Sequence, residues 1–295
     1  MDLLAELLFG TGLIRAVQQF FGLGHTLPFR LMSMLGDTWG IMVAVGVGFW
    51  LFGRRALYAL VGITVFAAGT WLLVSGAFDV SRPEGPGIVV YDHLEFGAFP
   101  SGHVTQAAAT WGLLYALGLV PLVVPVVAVA LTALGRIYLG AHFPGDVLGG
   151  MLYGALVVAV FYQLWRRVRG WLEARSVSFY LVVAGLALAA GIAWMTQLPA
   201  DATERRVEVV ALLIAAAVVL PAEHRWLRYS PPELRPWRIA AMTAIGAAGL
   251  ALIRLLVPQL PWGTELAAGL AVAWVVLGAP ALFSAAGPSM PARTA

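Results

Sequence analysis

Two histidines, two arginines and one aspartate stand out in a chain that is otherwise poor in polar groups. His142 and Asp146 are four residues apart, so on a helix they share one face. A carboxylate beside one ring nitrogen fixes the imidazole tautomer and leaves the other nitrogen free to attack an electrophile. His103 follows Pro100-Ser101-Gly102 at what reads as the opening of another helix. A second histidine of this kind can protonate a departing oxygen and later deprotonate water. Arg82 (followed by Pro83) and Arg136 carry planar guanidinium forks that match phosphate oxygens two at a time. Ser101 sits where a helix cap is expected, and Pro100 and Pro144 sit near first turns, where proline is favoured. Two helix starts would then offer unpaired N–H donors and partial positive charge, a setting suited to an anion such as phosphate.

The chemistry these residues predict is a pair of displacements at phosphorus. A covalent phosphohistidine on His142 would form between them, with His103 as acid and then base. The spacing of His142 and Asp146, with His103 as a third group, would also admit a metal ion. The arginines at the same place repel a cation, so no metal and no cofactor are expected.

The elements that must position these residues are membrane helices. The chain has 295 residues, 61% hydrophobic and only 11% charged, with a mean hydropathy of +0.87. A soluble domain carries roughly 25% charged residues. A span needs about 20 apolar residues. Apolar segments lie near 31–52, 56–77, 102–118, 121–140, 144–165, 178–196, 207–222, 238–257 and 264–285. Long apolar runs in lipid satisfy their backbone internally as helices, so the expected fold is an all-α polytopic bundle of about nine or ten spans. Residues 4–22 place Leu13, Ile14, Val17, Phe20 and Phe21 at helical spacing with Arg15, Gln18 and Gln19 between them. That pattern suits an interfacial helix within residues 1–24, with a tenth span as the alternative. The start lacks a basic region and keeps Glu6 and Arg15, so no cleavable signal peptide is expected.

All 18 basic residues are arginine, and cysteine is absent, which excludes disulfides and thiolate metal sites. The arginines lie in short links rather than one patch, so nucleic acid is not an expected partner. Arg54, Arg55, Arg166, Arg167, Arg169, Arg175, Arg225, Arg228, Arg235, Arg238 and Arg293 fall on one side of a nine-span reading. The positive-inside bias places that side in the cytoplasm. The loop 78–100 and the junction 136–146 then share the outer side. A charged link near 170–177 divides a core, residues 1–170, from an extension of four helices, residues 177–286.

The motifs resemble those of the type 2 phosphatidic acid phosphatase (lipid phosphate phosphatase) superfamily. That family carries a Lys followed after six residues by Arg-Pro, then Pro-Ser-Gly-His, then Ser-Arg, five residues, His, three residues and Asp. Here Pro100-Ser101-Gly102-His103 is intact, Arg82-Pro83 matches the end of the first signature, and Arg136, His142 and Asp146 match the third in spacing. The resemblance covers about residues 31–168. It implies a six-helix core, no metal requirement, and phosphate binding by Arg82, Ser101, Gly102 and Arg136. It likewise implies His103 as proton donor, His142 as nucleophile and Asp146 as its orienting partner. Two positions depart from the pattern. Ser75 stands where the family has Lys, and Gly135 stands where it has Ser before Arg. Arg30 and His93 are the outward candidates to replace the missing cation.

The expected activity is hydrolysis of a lipid phosphate at the outer face of a cell membrane, a bacterial inner membrane by expectation. Candidate substrates are phosphatidic-acid-like lipids, phosphatidylglycerol phosphate, and isoprenyl phosphates or diphosphates. Two alternatives stay open: phosphotransfer from His142 to another acceptor, and a degenerate site in a lipid-binding or transport protein. A homo-oligomer is compatible with either. Remaining polar residues take simpler readings. Asp37 reads as a helix-start residue, and Glu208, Arg254 and Glu265 as helix-end groups. Trp111, Tyr138, Trp165 and Trp262 read as belt residues or lipid contacts. Gly149, Gly150 and Gly154 read as small residues that let helices pack closely behind the site.

Overall fold

The structure, a computed structural model, describes residues 3–78, 80–93, 97–175, 217–260 and 263–285, with the single positions 182, 185 and 215. The spans read at 178–196 and over most of 207–222, with Glu208, Trp262 and Arg293, lie outside the described residues, as does the side chain of Glu265. The described chain is helical, with no β-strand element among the described residues.

The helices are α1 (Leu3–Phe9), α2 (Gly12–Phe21), α3 (Thr26–Ser33), α4 (Thr38–Phe52), α5 (Arg54–Phe78), α6 (Gly102–Ala116), α7 (Val123–Tyr138) and α8 (Pro144–Glu173). After them come α9 (Pro236–Leu256), α10 (Gly263–Ala273) and α11 (Ala279–Ala285). Four helical stretches are long and apolar enough to cross a membrane: Arg54–Phe78, Pro144–Leu172, Pro236–Gln259 and Leu266–Ala285. A fifth is added if Thr26–Gly36 and Thr38–Phe52, bent by 53° at their break, form one span. The expected nine or ten thus stand at four or five among the described residues. One reason is length: α6 has 15 residues and α7 has 16, short of the roughly 20 that a straight crossing needs.

The contacts divide the chain into two compact units, Met1–Ala44 with Tyr58–Arg167, and Val45–Leu57 with Val168–Ala295. In the first unit, α7 packs against α3 and α6. Val104, Ala133 and Val147 form one buried cluster, and Phe29, Tyr138 and Leu139 another. The Phe29 and Tyr138 rings stack with centroids 3.6 Å apart, and the Tyr138 hydroxyl donates to the Gly22 carbonyl at 2.6 Å. Tyr138 is therefore a core residue and not a belt aromatic. Trp165 is buried as well, and Trp111 donates its indole N–H to Leu35 O at 2.9 Å. A polar ring edge that finds a backbone acceptor inside the bundle has no need of the headgroup layer.

Close approach behind the site rests on small residues of α8. A Cβ on Gly150 would come within 2.8 Å of Ser101 O, and one on Gly154 within 2.9 Å of Thr105 O. Glycine is thus what lets α8 lie directly on the first two turns of α6. Asp37 starts α4 as a cap, its Oδ1 accepting the N–H groups of Trp39 at 2.8 Å and Gly40 at 3.1 Å.

At the chain start, α1 has 7 residues and α2 has 10, each far below a membrane-crossing length of about 20. Helix α2 exposes Leu13, Phe20 and Phe21 and buries Ile14 and Gln18. Gln18 donates to the carbonyls of Val89 at 2.6 Å and Tyr138 at 2.8 Å, and its Oε1 accepts the Val89 N–H at 2.9 Å. The two-sided amphipathic pattern thus has one side fixed by a buried polar anchor.

In the second unit, Trp50 donates its indole N–H to Val275 O at 2.8 Å. Both carboxylate oxygens of buried Glu223 accept from Arg54 Nε, at 2.9 and 3.0 Å. Its Oε1 also accepts the Tyr229 N–H at 2.9 Å. An unpaired buried carboxylate would be costly, and these partners remove that cost.

Candidate active site

The site lies in the first unit, where the loop after α5 meets the starts of α6 and α8. Local sequence explains each start. Pro144 opens α8 at the first helical position, and Asp146 reaches back so that its Oδ2 accepts the Phe143 N–H at 2.8 Å. An acid at the third helical position that satisfies the N-cap amide is one half of a capping box. Ser101 occupies the N-cap of α6, but its hydroxyl makes no capping bond. Its N–H is already used, donating to Asp146 O at 2.9 Å. One of the unpaired N–H donors expected at this helix start is therefore taken. What Ser101 keeps is a buried hydroxyl without a hydrogen-bond partner. Trp71 of α5 ties the same turn down by donating to Pro100 O at 2.8 Å.

His142 is buried between two of the expected partners. Its Nδ1 lies 3.6 Å from Asp146 Oδ2, slightly beyond hydrogen-bond distance. Its Nε2 lies 3.3 Å from Arg82 Nη1. Arg82 also donates to Ala141 O at 2.7 Å and to Gly97 O at 3.3 Å, so the loop and the turn that bears His142 are held by one guanidinium. Burial, then Arg136, then Arg82 push the His142 ring well below its ordinary 6.5. The ring is neutral near pH 7, as a nucleophile must be. Burial and the neighbouring Arg136 bring Arg82 down to about 10, which leaves it a cation at neutral pH.

Arg136 is almost wholly enclosed. Its Nη1 donates to Ser33 Oγ at 3.2 Å and to Asp92 Oδ2 at 3.0 Å, while Nε and Nη2 are buried with no partner. His103 lies on the first turn of α6, half-buried, and Gly102 abuts the Trp71 indole, with 3.1 Å left for any Cβ. Ser75 donates within its own helix to Leu72 O at 3.4 Å and brings no charge. His93 is exposed. Arg30 reaches Asp92 Oδ1 at 3.5 Å.

The structure thus brings Arg82, His142 and Asp146 into direct sequence around one ring and ties Ser101 to Asp146. Sequence reasoning missed Ser33 and Asp92. The signal available for Asp92 was an acidic residue in the same 78–100 loop as Arg82; nothing marked Ser33. The Gly135 departure also has a cause: a Cβ there would stand 2.6 Å from Phe29 O and 3.0 Å from Ser33 N. Helix α3 lies too close to α7 for a side chain at that position, and Ser33 of α3 supplies a hydroxyl to Arg136 instead. Helix α1 also meets the turn that bears His142, where Phe9 and Phe143 pack edge to face with centroids 6.4 Å apart.

These observations define a helical membrane protein with a buried arginine-histidine-aspartate site fit for an anion. The family model of the PAP2 superfamily matches residues 77–169, the segment that holds Arg82, His103, Arg136, His142 and Asp146. The chain is 37% identical over 109 residues to a decaprenylphosphoryl-5-phosphoribose phosphatase of Mycobacterium tuberculosis strain H37Rv. That match covers 36% of this chain and 60% of the relative, less than two thirds of its length. It is 29% identical over 163 residues to the putative undecaprenyl-diphosphatase YbjG of Escherichia coli K12, covering 51% of this chain and 80% of that one. Among solved structures, a transmembrane PAP2-type phosphatidylglycerolphosphate phosphatase from Bacillus subtilis aligns with a TM-score of 0.45 and 20% identity, covering 54% of this chain and 85% of that one.

Proposed function

We propose that this protein is a membrane lipid phosphatase acting on a polyprenyl-linked phosphate or diphosphate through a phosphohistidine on His142. The observation that carries the reading is the polarity of the His142 ring. Nδ1 faces the Asp146 carboxylate and Nε2 faces the Arg82 guanidinium. The lone pair for attack is thus at Nε2, beside the cation that would hold the phosphoryl group. Both sequence relatives carry polyprenyl substrates in their names, which favours that class over the other lipid phosphates.

In the first step Nε2 attacks phosphorus, an N–P bond forms, and the bond to the lipid oxygen breaks as His103 gives that oxygen a proton. In the second step His103 takes a proton from water, whose oxygen attacks the phosphohistidine. Inorganic phosphate leaves and the neutral His142 ring returns. Asp146 steadies the Nδ1 side while the ring carries positive charge, and Arg82, Arg136 and Ser101 hold the phosphoryl oxygens. No metal is needed for charge balance. The site faces the extracytoplasmic side, so the lipid tail stays in the bilayer while its phosphate enters between helix ends.

The test is phosphate release from a panel of purified lipid phosphates by the detergent-solubilised protein, with and without chelator. Labelled phosphate trapped on the wild type is expected to be absent from His142→Ala. Equal labelling of both proteins would refute the phosphohistidine.

A further inference from the structure

Arg136 has five N–H bonds, and the structure divides them unequally. The two on Nη1 are both taken, one by Ser33 Oγ at 3.2 Å and one by Asp92 Oδ2 at 3.0 Å. The single N–H on Nε and the two on Nη2 have no partner, although those atoms are buried. Buried donors without partners are costly and rare. These lie along one edge of the guanidinium, the Nε–Nη2 edge, which can grip two oxygens of one phosphate side-on.

The anchor of the other edge is itself charged. Asp92 is a carboxylate close to a site that must accept a phosphate carrying up to two negative charges, which by itself is unfavourable. Its second oxygen meets Arg30 Nη2 at 3.5 Å, and the same Nη2 lies 3.5 Å from Tyr91 O. The side-chain exposures grade from 2% at Arg136 through 26% at Asp92 to 56% at Arg30. Charge is thus relayed from a buried cation through a half-buried anion to an exposed cation. The pair Asp92–Arg30 is neutral, so the positive charge of Arg136 is left for the ligand.

We propose that Asp92, backed by Ser33 and neutralised by Arg30, is the positioning group that locks Arg136 by its Nη1 and aims its Nε–Nη2 edge at the substrate phosphate. Arg30 acts on the phosphate through Asp92 and does not bind it. The cation missing at Ser75 is therefore not replaced by a second direct contact from Arg30. The inference rests on the proposed phosphatase reading for its substrate, but its geometry is that of an oxyanion site and is tested with orthovanadate, a phosphate analogue.

The experiment measures orthovanadate binding to the full chain in detergent by isothermal titration, beside kcat and KM for lipid phosphate hydrolysis. Size-exclusion behaviour and unfolding midpoint check each variant. Asp92→Asn keeps an acceptor but loses the charge, and a loosely held guanidinium is expected to weaken vanadate binding and kcat/KM about 10-fold or more. Ser33→Ala, which removes the second anchor, is expected to move both in the same direction by about 2- to 5-fold. Arg30→Gln leaves the Asp92 charge uncompensated and is expected to weaken vanadate binding about 3- to 10-fold, less at high salt. In the Asp92→Asn background, Arg30→Gln should add nothing.

Unchanged or tighter vanadate binding in a folded Asp92→Asn protein would overturn the proposal, since a carboxylate that competes with phosphate gives that result. Multiplying effects of Arg30→Gln and Asp92→Asn would overturn the relay through Asp92. Vanadate binding without hydrolysis of any lipid in the panel would sink the phosphatase reading while the variants still decide the clamp. No vanadate binding by the wild type would sink both.

Discussion

Placing serine at position 135, where the family pattern has it, is expected to weaken this protein. The new Cβ would stand 2.6 Å from Phe29 O and 3.0 Å from Ser33 N, both backbone atoms of α3. Close carbon–oxygen contacts lie no nearer than about 3.3 Å, so α3 must retreat by roughly 0.7 Å. Overpacking of this kind costs about 1–3 kcal/mol. Serine recovers only ~0.5 kcal/mol of helix propensity over glycine. The net loss is about 0.5–2.5 kcal/mol, which lowers the unfolding midpoint by roughly 1–10 °C. The retreat also draws Ser33 Oγ away from Arg136 Nη1, now 3.2 Å distant, so orthovanadate binding weakens with stability. Gly135→Ala carries the same Cβ and, with about 0.5 kcal/mol more helix propensity than serine, should show a slightly smaller loss, which separates crowding from any effect of the hydroxyl. The assay is thermal unfolding in detergent together with vanadate titration. A Gly135→Ser protein that melts at or above the wild-type midpoint and binds vanadate equally well would refute the close-packing argument.

His142→Ala is expected to lower phosphate release on the order of 10³-fold or more, because the proposed phosphoryl intermediate forms on this ring. His103→Ala should cost about 10²- to 10⁴-fold in kcat while the protein still folds; near wild-type turnover would remove it from the acid–base role. The depressed His142 pKa keeps its ring neutral as pH falls, so the acid-side loss of kcat/KM from this group should lie well below pH 6.5. Arg82→Gln removes a cation 3.3 Å from Nε2, raises the His142 pKa and moves that loss to higher pH; a pH–rate profile checks the direction. The same depression makes the unfolded chain take up a proton near pH 6.5 that the folded chain refuses, so stability falls as pH drops below about 6.5. Strong chelators should leave phosphate release unchanged, since Arg82 and Arg136 meet the phosphate charge; loss of activity restored by one added divalent cation would contradict this.

The sequence by itself determined the helical character of the chain and marked the residues of the candidate site. Proline at a first turn, an acid three residues into a helix and a histidine four residues before that acid act over a single turn, so Pro144, Asp146 and His142 announce their geometry locally. Apolar runs in lipid leave the backbone no choice but helix. Only the tertiary structure decided which groups complete the site. Asp92 and Arg136 are 44 residues apart, Ser33 and Arg136 are 103 apart, and Gln18 and Tyr138 are 120 apart. No periodicity or cap reaches that far. Whether a given serine, aspartate or glutamine meets solvent or a buried guanidinium depends on how closely α3 lies on α7, and that distance is set by packing at Gly135 and Phe29. For the same reason Tyr138 reads as a belt aromatic along the chain and becomes core once Phe29 stacks on it.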